Sequence, residues 1–211
     1  HVNCVNITPD QKYLCAVDLG VDQVKIYKFN HETGKITLVD MLRCELESAP
    51  RIIKFSPDGR FAYLICELKN YISVYSYKDG PRGPVFELLQ TISTLNDYHS
   101  SGSAACVLRF SRDWKYVLCS NAGDNSIGIF KIDRETGKLE KICILPISGD
   151  YPKAADFFPD NRHIMSLNHE TNTMTIFKIN YEKKYFSMWG KPLKVETPNC
   201  ILVSEIEKLP G

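Results

Sequence analysis

One short pattern occurs four times in this chain. The copies read TPDQKYLCAVDLGVDQVKIYKF from Thr8, SPDGRFAYLICELKNYISVYSY from Ser56, SRDWKYVLCSNAGDNSIGIFKI from Ser111 and FPDNRHIMSLNHETNTMTIFKI from Phe158. Their starts lie 48, 55 and 47 residues apart. A repeat of this period is one supersecondary unit that cannot bury its apolar face alone and stacks on its neighbours.

Each copy decodes as a small antiparallel sheet. In the second, Arg51 to Phe55 is a short apolar run, Ser56-Pro57-Asp58-Gly59 is a turn, and Phe61 to Cys66 is a second run. Pro and Gly sit where a turn needs a fixed or a positive φ. Leu68-Lys69-Asn70 reverses the chain into Tyr71 to Tyr77, rich in β-branched and aromatic residues. A looser loop, Lys78 to Pro84, leads to a fourth strand, Phe86 to Ile92. The other copies have fourth strands at Ile36 to Leu42, Leu139 to Leu145 and near Phe186 to Leu193. Four strands per repeat is the arithmetic of a β-propeller blade. The fold expected is therefore all-β: a single propeller with blades at 1–48, 49–103, 104–150 and 151–197. An apolar stretch at 199–203 would open a fifth. No segment keeps a 3.6-residue apolar period over three turns. The stretches around Glu45 and Asp97 read as inter-blade loops.

Four blades are the low end for a propeller, and the chain starts without Met. A piece of a larger ring is the reading preferred over a closed small ring or a ring shared by two chains. Open blade edges would then present unpaired strands and invite self-association.

Composition excludes several classes. The formal net charge is +1, so no strong field draws the chain to nucleic acid or to an anionic membrane. No apolar run approaches a membrane span. The eight cysteines form no C-x-x-C pair, which argues against zinc. Most of them replace Val, Ala or Ile of other repeats, as buried thiols in a reducing cytoplasm do. Asp18 and Asp22, around Leu19-Gly20, read as turn-stabilising rather than metal-binding. Tyr13, Tyr63 and Tyr116 read as packing between blades.

The stretches HVNCVNITPD, APRIIKFSPDGRFAYLICEL, SAACVLRFSRDWKYVLCSNAGDNSIGIF and GDYPKAADFFPDNRHIMSLNHETNTMTIF resemble, in blade order, successive blades of the lactonase family of seven-bladed propellers. The resemblance covers nearly the whole chain and implies that about three preceding blades are absent from it. It also implies hydrolysis of a sugar lactone, 6-phosphogluconolactone foremost, without a cofactor. It gives Arg51 the part of a substrate-binding arginine and Glu67 that of the acidic residue that activates water. His1 and Asn3 fall where the family carries His-x-His, so Asn3 replaces a histidine. Arg109 matches a basic position of the third blade, and Lys153 stands for an arginine of the fourth. His169 ends a second strand as Glu67 does. Val107 and Ala122 depart from an acidic and an arginine position of the family. Lactone opening needs a base for water and cationic or hydrogen-bonding groups for the oxyanion. The catalytic set expected is Glu67, Arg51 and Asn3, with His1, Arg109, Lys153 and His169 holding substrate. The departures keep two other readings open: a degenerate propeller that only binds, and a muconate-type cycloisomerase.

Overall fold

The computed structural model describes residues 1–96 and 102–204. The stretch around Asp97 therefore lies outside the described residues. Four antiparallel sheets follow one another along the chain. Blade 1 holds β1 (Val2–Ile7), β2 (Tyr13–Asp18), β3 (Gln23–Phe29) and β4 (Ile36–Arg43). Blade 2 holds β5 (Pro50–Phe55), β6 (Phe61–Cys66), β7 (Tyr71–Gly80) and β8 (Gly83–Ser93). Blade 3 holds β9 (Ala105–Phe110), β10 (Tyr116–Asn121), β11 (Ser126–Ile132) and β12 (Leu139–Pro146). Blade 4 holds β13 (Pro152–Phe157), β14 (His163–Asn168), β15 (Thr173–Asn180), β16 (Tyr185–Met188) and the short β17 (Leu193–Lys194), which also pairs with β15. Among the described residues, helix is limited to one 3-10 turn, Leu19–Val21.

The first strands β1, β5, β9 and β13 are neighbours in that order and form the inner wall. One apolar layer fills each gap between blades. Strand β6 shows how: Ala62, Leu64 and Cys66 face Cys15, Val17 and Ile26 of blade 1, while Phe61, Tyr63 and Ile65 face Leu108, Phe130 and Leu139 of blade 3. A strand buried on both faces carries no polar alternation, which is why its sequence is an unbroken apolar run. A third layer joins Leu118, Ile127 and Ile129 to Phe157, Ile164 and Phe177. Burial of such side chains stabilises by roughly 1.5–3 kcal/mol each. Tyr63 fills its layer and donates its hydroxyl to the Gly137 carbonyl at 3.0 Å.

Two expectations change. The loop expected at 78–84 is a tight hairpin, with Gly80 opposite Gly83 and the strands running up to both. Gly83 has φ +120°, open to glycine and strained for other residues. Residues 199–203 form no strand. Asn172 Oδ1 accepts the Thr197 amide at 2.7 Å, the clamp that in the other blades precedes an inner strand. No described segment lies alongside residues 199–203 to pair with their backbone, and a strand needs that partner.

Candidate active site at the propeller axis

Every inner strand carries a β-bulge at the same place. The register slips between Val2 and Cys4, Pro50 and Ile52, Ala105 and Val107, and Pro152 and Ala154. The residues left out of the ladders are Asn3, Arg51, Cys106 and Lys153. A bulge leaves its extra residue unpaired and re-aims the side chain. One tier of the axis is therefore built from these four residues.

A second set comes from the ends of the second strands. The amide of Glu67 donates to the Ala49 carbonyl at 2.8 Å, that of Ala122 to Ala104 at 2.8 Å, that of His169 to Tyr151 at 3.0 Å, and that of Leu19 to His1 at 3.1 Å. Leu19, Glu67, Ala122 and His169 thus occupy one repeat position, as the sequence reading held for Glu67 and His169.

The two sets meet at Arg51. Its Nη1 donates to Glu67 Oε2, and its Nε donates to the Cys106 carbonyl at 3.0 Å. The Arg51 and Glu67 side chains remain 23% and 20% exposed, so the pair is sheltered yet open to a ligand. Lys153 stands on the far side of Cys106, whose thiol is pushed up by burial, the Arg51 and Lys153 cations opposing that rise. The ring of Tyr151 lies 6.4 Å from that of His169. Burial raises the Tyr151 phenol, and the nearby Cys106 and Glu67 add to the rise.

The loops that aim these groups are clamped by another repeated device. At the β2–β3 turn and its equivalents stand Asp22, Asn70, Asn125 and Asn172, all with φ between 51° and 53°. Asp22 accepts the Glu47 and Ala49 amides, each at 2.8 Å. Asn70 donates to Ser103 O at 2.9 Å, and Asn125 accepts the Tyr151 amide at 2.7 Å. Each clamp fixes the start of the next inner strand, so Asp22 is turn-stabilising as read and also positions Arg51.

Arg109 does not join this cluster. It lies three residues beyond the bulge of its strand, level with Asn6, Lys54 and Asp156. Its Nε is 3.7 Å from Asp156 Oδ2. Three strand residues are roughly 10 Å, so Arg109 belongs to a lower tier; Cys106 holds the position that Arg51 holds in its own blade. His1 has a fully exposed side chain, and its amino group donates to Asp18 at 2.7 Å. Asp18 also meets Lys25 Nζ at 3.1 Å. Asn3 is exposed on the wall. Tyr151 and the Cys106 carbonyl were not singled out; counting from each bulge and each strand start across the repeats is the signal that finds them.

Among the described residues, no group of three or more His, Cys, Asp or Glu is placed to hold a metal ion, and no helix is long and apolar enough to cross a membrane. All eight cysteines are free thiols.

Blades stacked about an axis, with an Arg–Glu pair and a lysine at one end of it, define a β-propeller with charged groups on its axial wall. The profile of the family "Lactonase, 7-bladed beta-propeller" matches residues 1–203. The chain belongs to that family. A Lactococcus lactis subsp. cremoris protein of uncharacterized role is 37% identical over 203 residues, which is 96% of this chain and 58% of the relative. The 6-phosphogluconolactonase of Bacillus subtilis is 26% identical over 201 residues, 95% of this chain and 56% of that protein. The periplasmic gluconolactonase PpgL of Pseudomonas aeruginosa superposes with a TM-score of 0.86 at 27% identity, covering 95% of this chain and 56% of that one. The chain thus spans a little over half the length of the relatives it matches.

Proposed function

We propose that the protein hydrolyses a sugar lactone, with 6-phosphogluconolactone as the substrate. The observation that carries the reading is the sheltered Arg51–Glu67 pair at the axial bulge tier of a member of a lactonase family. Glu67 takes a proton from water as the water attacks the lactone carbonyl. Arg51 and Lys153 face the oxyanion that develops there and attract the phosphate. Collapse of the tetrahedral intermediate expels the ring oxygen, which leaves as a hydroxyl once protonated. Arg51 is already tied to Glu67 and to the Cys106 carbonyl, so both groups are oriented before substrate arrives. Asn3 and His169 supply hydrogen bonds at the same end.

The test is the rate of lactone opening above the spontaneous rate, followed with a pH indicator, for the protein and for Glu67→Gln. An excess rate that Glu67→Gln abolishes supports the reading; an excess rate indifferent to it removes Glu67 from the chemistry. A second reading is a propeller that binds the sugar acid without turning lactone over. It rests on Cys106 and Ala122 standing in the two rings where other blades offer Arg51, Lys153 and Glu67. Binding of 6-phosphogluconate with no excess rate would favour it. Free thiols throughout suit the cytoplasm. Exposed apolar side chains on blade 1, among them Val2, Val5, Ile36, Leu38 and Met41, suit self-association through that blade; light scattering that gives one monomeric mass over a wide concentration range would dismiss it.

A further inference from the structure

The lower tier has a use of its own. Below Arg51 and Glu67 the inner strands end in the Ser56–Gly59 turn and its equivalents. A groove of about 340 Å³ opens there between blades 1, 2 and 3. Lys54 and Arg109 stand on its wall with the Asn6 amide, Phe110 and Trp114, and no carboxylate lines it. Lys54 is half-buried and makes no ion pair among the described residues. Arg109 reaches Asp156 only at 3.7 Å, which leaves most of its donors free.

The backbone at Trp114 supplies an independent observation. The fourth turn residue is left-handed in every blade: Gln11 at φ 58°, Gly59 at 71°, Trp114 at 55° and Asn161 at 55°. Glycine and asparagine suit that conformation, and a bulky aromatic does not. Gln11 bears the same conformation in blade 1, so what sets Trp114 apart is the large ring it holds at this position. Here the indole stacks on Phe110, with ring centroids 4.3 Å apart, and borders the two cations.

We propose that this end of the channel binds a small organic anion, a carboxylate or phosphate carried on a flat apolar ring. Lys54 and Arg109 would hold the charge, and Trp114 would pack against the ring. The proposal does not depend on lactone hydrolysis.

Phenyl phosphate is the probe, with inorganic phosphate as its ringless half. Trp189→Phe leaves Trp114 as the one tryptophan of the two. Saturable change of its fluorescence on titration with phenyl phosphate is expected. Calorimetry should show inorganic phosphate binding at least about tenfold more weakly, and Lys54→Gln costing about tenfold or more. Trp114→Gly should lower the affinity for phenyl phosphate to that for inorganic phosphate while Tm stays within about 4 °C, which separates lost binding from lost folding. Absence of saturation up to about 10 mM, or an affinity that Lys54→Gln leaves unchanged, overturns the proposal. So does binding that disappears in Glu67→Gln, because the ligand would then sit at the other tier.

Discussion

The two tiers of the inner wall use the same four strands and yet are chemically unlike. In the upper tier, bulges free Asn3, Arg51, Cys106 and Lys153 from the ladders, the Cys106 thiol staying buried between blades 3 and 4, and the carboxylate that meets Arg51, Glu67, comes from the neighbouring strand of the same blade. In the lower tier the ladders are regular, and the carboxylate, Asp156, lies on the inner strand next to Arg109's. The upper pair is formed within one blade, sheltered and still reachable. The lower pair crosses between blades, is looser, and its acid is the more buried partner. The difference teaches that a propeller repeat sets where side chains stand, while irregularity of the ladder decides which of them are presented to a ligand.

The largest effect that would test this contrast is on turnover. Glu67→Gln should lower the excess rate of lactone opening by about 100-fold or more, whereas Asp156→Asn should leave that rate within about twofold of the parent's. Equal losses would erase the distinction between tiers. Next comes binding of 6-phosphogluconate by calorimetry. Arg51→Ala should weaken it by about tenfold or more, and Arg109→Ala should leave it nearly unchanged; the reverse order would put the substrate at the wrong end.

A smaller effect is on stability against pH. Burial raises the Asp156 carboxyl above its ordinary value, and the Arg109, Arg112 and Lys54 cations only partly offset this. Folded protein then holds a proton that unfolded chain has released, so stability declines as pH rises from the ordinary carboxylate value through the raised one. Asp156→Asn should flatten that decline, as read from urea midpoints between about pH 4 and pH 7. An unchanged slope would mean that the Arg109 pair outweighs burial. The smallest effect is at Trp114. Relief of its left-handed strain is worth about 1–2 kcal/mol, and the lost Phe110 stack costs about 0.5–1.5 kcal/mol. Trp114→Gly should therefore fall within about 1 kcal/mol of the parent in urea unfolding, and a larger loss would make the stack structural.

Much of this was legible in the linear chain. The turn residues and two-sided apolar runs located the blades, since hydrophobic period and turn chemistry are local. Arg51 and Glu67 stand at the two ends of apolar runs, but it was the family resemblance that gave them their roles. Arg109 could not be separated from Arg51 in the same way. Both are basic residues in a first strand, and a sequence does not mark where its ladder slips. Cys106 is the buried thiol that its apolar run implies, but that its carbonyl accepts Arg51 is set by the slip of the ladder. The stretch 199–203 has the composition of a strand, but composition cannot supply a neighbour.

The order of residues by itself determined the repeat, the all-β class, the buried strands and the polar candidates at strand ends, because each follows from the period of side chains and the conformational limits of Gly, Pro, Asn and Asp. Only the tertiary structure decided which candidates share a tier, since bulges and inter-blade clamps arise when strands from distant parts of the chain are pressed together. The pairing of Arg51 with Glu67, and the separation of both from Arg109, belong to that second kind of information.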